Sequence, residues 1–379
     1  MLIGLNGDRL LIEHPAGIEK YAFNLYKALA QLDKINNYIL YLRQTPPENF
    51  ISDLFQGNKN FSYKVLTRKI SWTQNSLASE LIKNPVDVFF SPFHTMPVVR
   101  HIKTKFVSMI HGLEYTHSAE HKNILKRPFL AGPFWFVSAF SDAIIVPSLQ
   151  TKHRLENKSW PLFKTTKVYL VHEGVTSEFY TKNVEKIAEI KEKYKLEDYL
   201  IFVSTIQPRK NLPNTIEAFS KLIQTYPKFV NLKLAIVGKK GWLFQESIEA
   251  PAKYHIPNNV VFLGRVSDKE LPSLIQGSKG LVNFSFEEGF GLPLVEAMAS
   301  GIPCAVSNIE AFKEVGDKNL EYANPFNVNE ITNVMHTILS EPAKTDDLIN
   351  RAKLFTWEKA AEETLNIFMK VTSSSKSAK

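Results

Sequence analysis

Short runs of β-branched and aromatic residues recur along the first half of the chain: LIGL at its start, YILYL at 38–42, VDVFF at 86–90, FVSMI at 106–110, AIIV at 143–146 and VYLV at 168–171. Apolar side chains fall at consecutive positions within these runs, so both faces of each strand are to be buried, as in a parallel sheet covered on two sides. Between the runs the apolar period lengthens. Tyr21, Leu25, Ala28 and Leu32 share one stripe and predict a helix over Ile18–Leu32. Strand and helix in alternation predict a doubly wound parallel sheet.

The polar stretch Thr181–Asp198, rich in Lys and Glu, predicts a solvated linker helix, after which the alternation restarts. LIFVS at 200–204, LKLAIV at 232–237, VVFLG at 260–264, GLVNF at 280–284 and IPCAV at 302–306 form a second set of strands. The expected architecture is α/β, with two Rossmann-like domains over residues 1–180 and 195–355 facing a central cleft. The tail TSSSKSAK, 372–379, has nothing to bury and is predicted to be disordered.

Length agrees with this division, because 379 residues exceed one ordinary core. Apolar residues make up 44% and charged residues 22%, and no run approaches a membrane span, so the chain belongs to the globular class. Its start lacks the pattern of a secretory signal, and the single Cys304 excludes an internal disulfide. Together these favour a cytoplasmic location, with a peripheral place at the inner membrane face as the alternative. A net charge of +8 points to an anionic partner: nucleic acid, an anionic membrane or a phosphorylated small molecule. Zinc spacings, a Walker loop, a G-x-S-x-G elbow and a D-x-D pair are all absent, so no metal site is expected.

The stretch SFEEGFGLPLVEAMASGIP, 285–303, carries the sharpest chemistry. A strand ends at Phe284, the chain turns through Glu288, Gly289, Phe290 and Gly291, and a helix is predicted from about Pro293 to Gly301. Ligands of open parallel sheets bind beyond the carboxyl ends of the strands, and a glycine turn opening a helix offers backbone N–H groups to phosphate. Glu288 on the turn and Glu296 in the expected first helical turn flank that mouth. Carboxylates there either accept hydrogen bonds from sugar hydroxyls or do no more than complement the helix dipole.

Glu288-x7-Glu296 enclosing GFGLPLVE, followed by AMASGIP, resembles the donor-binding signature of retaining GT-B glycosyltransferases of glycosyltransferase family 4. Supporting segments stand in the expected order: STIQPRKN at 204–211, VFLGRVSD at 261–268 and FTWEKAA at 355–361. In the first domain the match is thinner, with GIEKY at 17–21, His111 at a strand end and VPS at 146–148.

The resemblance implies a hexosyltransferase that moves a sugar from a nucleoside diphosphate sugar to a saccharide or lipid-linked acceptor, with retention of configuration and without metal or other cofactor. It implies catalytic roles for His111, Arg209, Lys210 and Glu288, the two cations clamping the diphosphate. Donor contacts fall to Gly17, to Gly289, Phe290, Gly291 and Leu292 along the turn, to Arg265 and Val266 near the base, and to Glu296 at the ribose. It also implies that the last helix, Trp357–Val371, crosses back onto the first domain through Trp357, Ala360, Ala361, Leu365, Phe368 and Met369. Two positions depart from the family pattern: Thr205 stands where a further phosphate-binding Arg is frequent, and Gly112 where Asp is frequent.

A nucleotide-sugar epimerase on the same scaffold, and a non-catalytic protein binding a sugar nucleotide or nucleic acid, are the alternatives. Against nucleic acid, the aromatics keep core spacings and no basic–aromatic sheet motif occurs. Lys122, Lys126 and Arg127, followed by Phe129, Phe134, Trp135 and Phe136, either meet an anionic membrane surface or bury their rings and expose only the cations.

Overall fold

The computed structural model describes residues 1–67, 71–113, 136–157 and 166–373. The chain divides into two compact units, one formed by Met1–Gly174 with the segment from Trp357 onward, the other by Val175–Thr356.

The first unit is built on seven parallel strands: β1 Leu2–Asn6, β2 Asn37–Leu42, β3 Phe61–Val65, β4 Val88–Ser91, β5 Lys105–Met109, β6 Ala143–Val146 and β7 Lys167–Leu170. They lie in the order β3-β2-β1-β4-β5-β6-β7, reversing between β1 and β4. β3 escapes the sequence pattern for a physical reason. It is an edge strand whose middle residues are exposed, so it lacks a continuous apolar run.

The first helix, Gly17–Leu32, buries Tyr21, Leu25 and Ala28 as predicted. Leu32 ends it and is 44% exposed, where the stripe had placed it inside. The last helix, Trp357–Ser373, packs along the first. Trp357, Ala360, Ala361, Thr364, Ile367, Phe368 and Val371 face inward, so Thr364 and Ile367 take the places expected for Leu365 and Met369.

The second unit holds β8 Tyr199–Val203, β9 Lys233–Val237, β10 Val260–Gly264, β11 Gly280–Asn283, β12 Cys304–Ser307 and β13 Glu321–Ala323, in the order β10-β9-β8-β11-β12-β13. Its continuous apolar runs have a direct explanation. Ile201, Ala235, Val237, Leu281 and Val306 enter the core on one face, while Leu200, Leu234, Ile236, Val282 and Ala305 enter the core on the other. The polar stretch before β8 contains the helix Val184–Tyr194, capped by the Asn183 side chain on the Lys186 N–H at 2.9 Å, and it buries Ile187 and Ile190.

Beyond β8 and β9 the chain segments run close together. Ser204 N–H donates to Val237 O and Ile206 N–H to Lys239 O, each at 2.9 Å. The approach depends on Gly238, whose φ is +145° and at which a Cβ would lie 1.8 Å from Ser204 O. Gly264 also has positive φ, +66°, yet nothing lies within 4 Å of its would-be Cβ. Gly264→Ala is therefore expected to cost only the left-handed backbone penalty, about 1–2 kcal/mol, and Gly238→Ala clearly more, because backbone must move. Thermal unfolding of the full-length variants checks the order, and an equal fall for both would show that the Ser204 loop yields freely.

Candidate functional site

The strand order of the second unit reverses between β8 and β11, which pair through Leu200 with Gly280 and Ile201 with Leu281. At such a point the connections leave toward opposite faces and open a crevice beyond the strand ends. From β8 the chain enters a tight turn at Pro208–Lys210 and then the helix Leu212–Thr225. From β11 it passes through residues 284–291 into the helix Leu292–Ala299.

Asn211 stitches these loops together. It adopts a left-handed conformation, φ +55°, tolerated by its short polar side chain. Its Nδ2 donates to Phe284 O at 2.9 Å and to Pro325 O at 2.7 Å. Phe286 N–H donates to Arg209 O at 2.9 Å, and Ser307 Oγ, at the end of β12, donates to Ser285 O at 2.6 Å.

Held this way, side chains from two segments 78 residues apart become one group. Glu288 is buried and accepts from Lys210 Nζ at 2.5 Å, Arg209 Nη1 at 3.1 Å and Ser285 Oγ at 2.9 Å. Arg209 Nη1 also donates to Glu287 O at 2.8 Å. Burial alone would push the Glu288 carboxyl up. The charges of Lys210 and Arg209, with hydrogen bonds from Lys210 and Ser285, outweigh burial and hold it at about 2. The sequence treats Glu288 as a sugar contact and the cations as a separate diphosphate clamp; the structure joins all three in one ion-paired cluster.

The helix after the turn starts one residue earlier than expected, at Leu292, with Pro293 second and Gly291 as its cap. Gly291 has φ +105°, and a Cβ there would press to 2.7 Å from the Phe312 ring, so both conformation and space demand glycine. Glu296 therefore lies in the second turn, not the first, and is partly exposed. The helix stops where Gly301, φ +67°, lets its own N–H reach Met298 O at 2.9 Å and the Ile302 N–H reach Ala297 O at 3.0 Å. Phe290 turns inward, its ring 5.6 Å from that of Phe355. Leu292 packs partly against the core and Gly289 lies partly exposed on the turn. Beyond β10, Arg265 is exposed while Val266 is buried.

Gly17 and His111 belong to the first unit. Gly17 opens its helix exposed, with nothing within 4 Å of a would-be Cβ. The first turn of that helix already holds a carboxylate: Glu19 accepts from the Ala16 N–H at 2.8 Å and pairs with Arg9 at 2.5 Å. His111 follows β5, and both of its ring nitrogens have partners. Nδ1 lies 3.1 Å from Glu173 Oε1 and Nε2 3.1 Å from Pro92 O. Tyr21, one turn into the Gly17 helix, stands edge-on to the ring with centroids 4.7 Å apart. His94 Nε2 accepts the His111 N–H at 3.2 Å; burial, then the nearby His111 and Arg9, pull the His94 ring down to about 3, the neutral form an acceptor needs.

Sequence reasoning missed Ser285, Glu173 and His94. For Ser285 a signal existed, since Ser-x-x-Glu is the spacing at which a hydroxyl and a carboxylate meet across a tight turn. The basic–aromatic residues Lys122, Lys126, Arg127, Phe129, Phe134 and Trp135 lie outside the described residues; Phe136 is inside them. Among the described residues no helix is long and apolar enough to cross a membrane, and no three His, Cys, Asp or Glu side chains gather to hold a metal ion.

Comparison with known proteins assigns a family to each unit. The Glycosyltransferase Family 4 model matches residues 15–179 and the Glycosyl transferases group 1 model residues 183–355. The O-antigen chain mannosyltransferase B of Escherichia coli is 28% identical over 240 residues, 61% of this chain and 59% of that one, so the match spans less than two thirds of the relative. Among solved structures, sucrose-phosphate synthase from Thermosynechococcus elongatus superposes with a TM-score of 0.75 at 16% identity, covering 98% of this chain and 99% of that one. Anabaena Alr3699/HepE, solved with UDP and glucose, gives 0.73 at 17% identity, covering 98% and 100%. With a matching family model on each of two parallel-sheet units, and GT-B neighbours aligned along nearly the whole chain, the protein belongs to the family 4 glycosyltransferases of GT-B fold.

Proposed function

We propose that the chain transfers a hexosyl group from a nucleoside diphosphate sugar to a saccharide or lipid-linked acceptor, with retention at the anomeric carbon and without a required metal ion. The observation that carries this reading is the buried cluster of Arg209, Lys210 and Glu288 beside the point of strand reversal. Breaking a sugar–diphosphate bond builds negative charge on the leaving oxygens, and cations fixed in advance stabilise that charge without reorganising. The relative named as a mannosyltransferase and the neighbour holding UDP and glucose support a hexose and a nucleoside diphosphate as the ligand classes.

In this reading Glu296 accepts from the ribose hydroxyls, and the backbone of Gly289, Phe290, Gly291 and Leu292 meets the donor. The base lies by Arg265 and Val266. His111, with its ring held by Glu173, and Gly17 at its helix start are the contributions of the first unit. No carboxylate in the matched motifs stands out as a nucleophile, so the transition state is oxocarbenium-like, and the departing phosphate takes the acceptor proton on the same face.

The reading is tested by product analysis. Chelator-treated protein, supplied with UDP-, GDP- and ADP-hexoses and glycan acceptors, is expected to form a glycoside whose anomeric configuration, read by NMR, matches that of the donor. Loss of turnover on chelation, or an inverted anomer, would overturn the metal-free leaving-group account. Glu296→Ala is expected to weaken donor binding by about 1.5–3 kcal/mol, since hydroxyls lose a charged acceptor. Calorimetric titration with the donor reads this directly, and an unchanged dissociation constant would remove Glu296 from the ribose.

A further inference from the structure

The first unit contains a cavity of about 460 Å³ that the donor reading leaves unused, within the size range of small-ligand sites. Among the described residues its walls include Arg43, Trp72, Gln74, Met96, Val98 and Phe136. Arg43 follows β2 and Met96 follows β4, so the cavity lies beyond the carboxyl ends of the strands, where open parallel sheets take their ligands.

Its chemistry is selective. Among the described residues the lining contains one cation and no carboxylate, the Asp8 that pairs with that cation standing outside the lining, and the surface is predominantly apolar. The larger polar groups are already engaged in the walls: Trp72 Nε1 donates to Leu66 O at 2.8 Å, Gln74 Nε2 donates to Met96 O at 3.1 Å, and Gln74 Oε1 accepts the Val98 N–H at 2.8 Å. Such walls offer contact to an apolar chain more readily than hydrogen bonds to a ring of hydroxyls. The Arg43 guanidinium lies over the Trp72 ring, 5.4 Å from its centroid, and its Nη2 donates to Asp8 Oδ2 at 3.0 Å. Asp8 is nearly enclosed whereas the Arg43 side chain is 49% exposed, so the ion pair fixes the cation from behind and leaves it accessible.

An apolar path leads from the cavity to the surface. Val98 lines the cavity and is 56% exposed; Val99 and Ile102 beyond it are 63% and 93% exposed. Phe136 lines the cavity too, and its ring packs 4.8 Å from that of Phe140, itself 51% exposed. Arg100 and Lys103 flank this strip, and Arg100 donates to Phe140 O. Exposed apolar side chains interleaved with cations match the two parts of an anionic amphiphile.

We propose that this cavity takes the apolar chain of an anionic amphiphile of the lipid-phosphate kind, with the charge at Arg43. The proposal rests on the transferase reading, for which it makes the acceptor lipid-linked. The test is calorimetric titration of the full-length protein with decyl phosphate below its critical micelle concentration, with inorganic phosphate and neutral decyl maltoside as separate arms. Nucleoside diphosphates are titrated in parallel. Decyl phosphate is expected to saturate one site, at least about tenfold tighter than either control. Val98→Glu, at an exposed position that does not burden folding, is expected to weaken decyl phosphate at least about tenfold and leave nucleotide affinity unchanged. Decyl phosphate no tighter than inorganic phosphate, equal binding of the maltoside, or indifference to Val98→Glu would each overturn the proposal, with nucleotide binding still attesting to the transferase. A protein that takes decyl phosphate at this site and no nucleotide would uphold the cavity and overturn the transferase reading.

Discussion

The buried contact between Glu288 and the cations of Arg209 and Lys210 is the constraint on which the candidate site depends. Isolated charges taken out of water cost several kcal/mol each, so none of the three side chains could stay buried without the others. Because Glu288 comes from the loop after β11 and the cations from the turn after β8, their pairing also fixes the distance between those two strand ends. Ser285 adds a neutral donor to the same carboxylate, and Asn211 adds backbone contacts that keep the loops from drifting apart. The cluster is thus a structural joint, and in the proposed function the same atoms also serve as a preorganised electrostatic site.

The sheet makes this joint possible. Alternate residues of β8, β9, β11 and β12 enter two separate cores, so the strands are held on both faces and their carboxyl ends are rigid supports. Gly238 lets the segment after β9 press against that after β8, and Gly291 lets the turn after β11 close over Phe312 before its helix begins. In the first unit the last helix of the chain packs along the first, and Trp357 stands 5.7 Å from Tyr21, which in turn faces His111. The helix that carries Gly17 is therefore tied to the histidine by ring contacts.

What the sequence disclosed follows from where each signal arises. Strands buried on two faces are conspicuous as unbroken apolar runs, whereas β3, an edge strand with polar middle residues, and the three-residue β13 are not. The GFG turn was legible because a glycine at positive φ, here Gly291, is a local requirement. The ring of Phe290 could be assigned to the core only by its contact with Phe355, which is distant in sequence. Likewise the motifs bearing Arg209, Lys210 and Glu288 were visible one by one, but their union spans 78 residues and is a property of the fold. His111 was visible by itself, but its pairing with Glu173, 62 residues away, was hidden for the same reason. One helix starts one residue early, at Leu292, and two inward positions of the last helix moved to Thr364 and Ile367, since apolar spacing fixes a stripe more firmly than its edges.

The claim that Glu288 is a buried anion held by two cations is tested most directly by acid stability. Its folded pKa, about 2, lies below the unfolded value near 4.3, so its contribution is complete above about pH 4.5 and is lost as pH falls toward 2. The corresponding difference is on the order of 3 kcal/mol. Urea unfolding of the wild type and of Glu288→Gln between pH 7 and pH 2.5 should show the wild-type advantage shrinking by that order across the window from about pH 4.5 downward. An advantage that stays constant with pH would show that the folded pKa equals the unfolded one, and an advantage that grows on acidification would show that Glu288 is protonated in the folded protein; either result would contradict a carboxylate held as an anion by two cations.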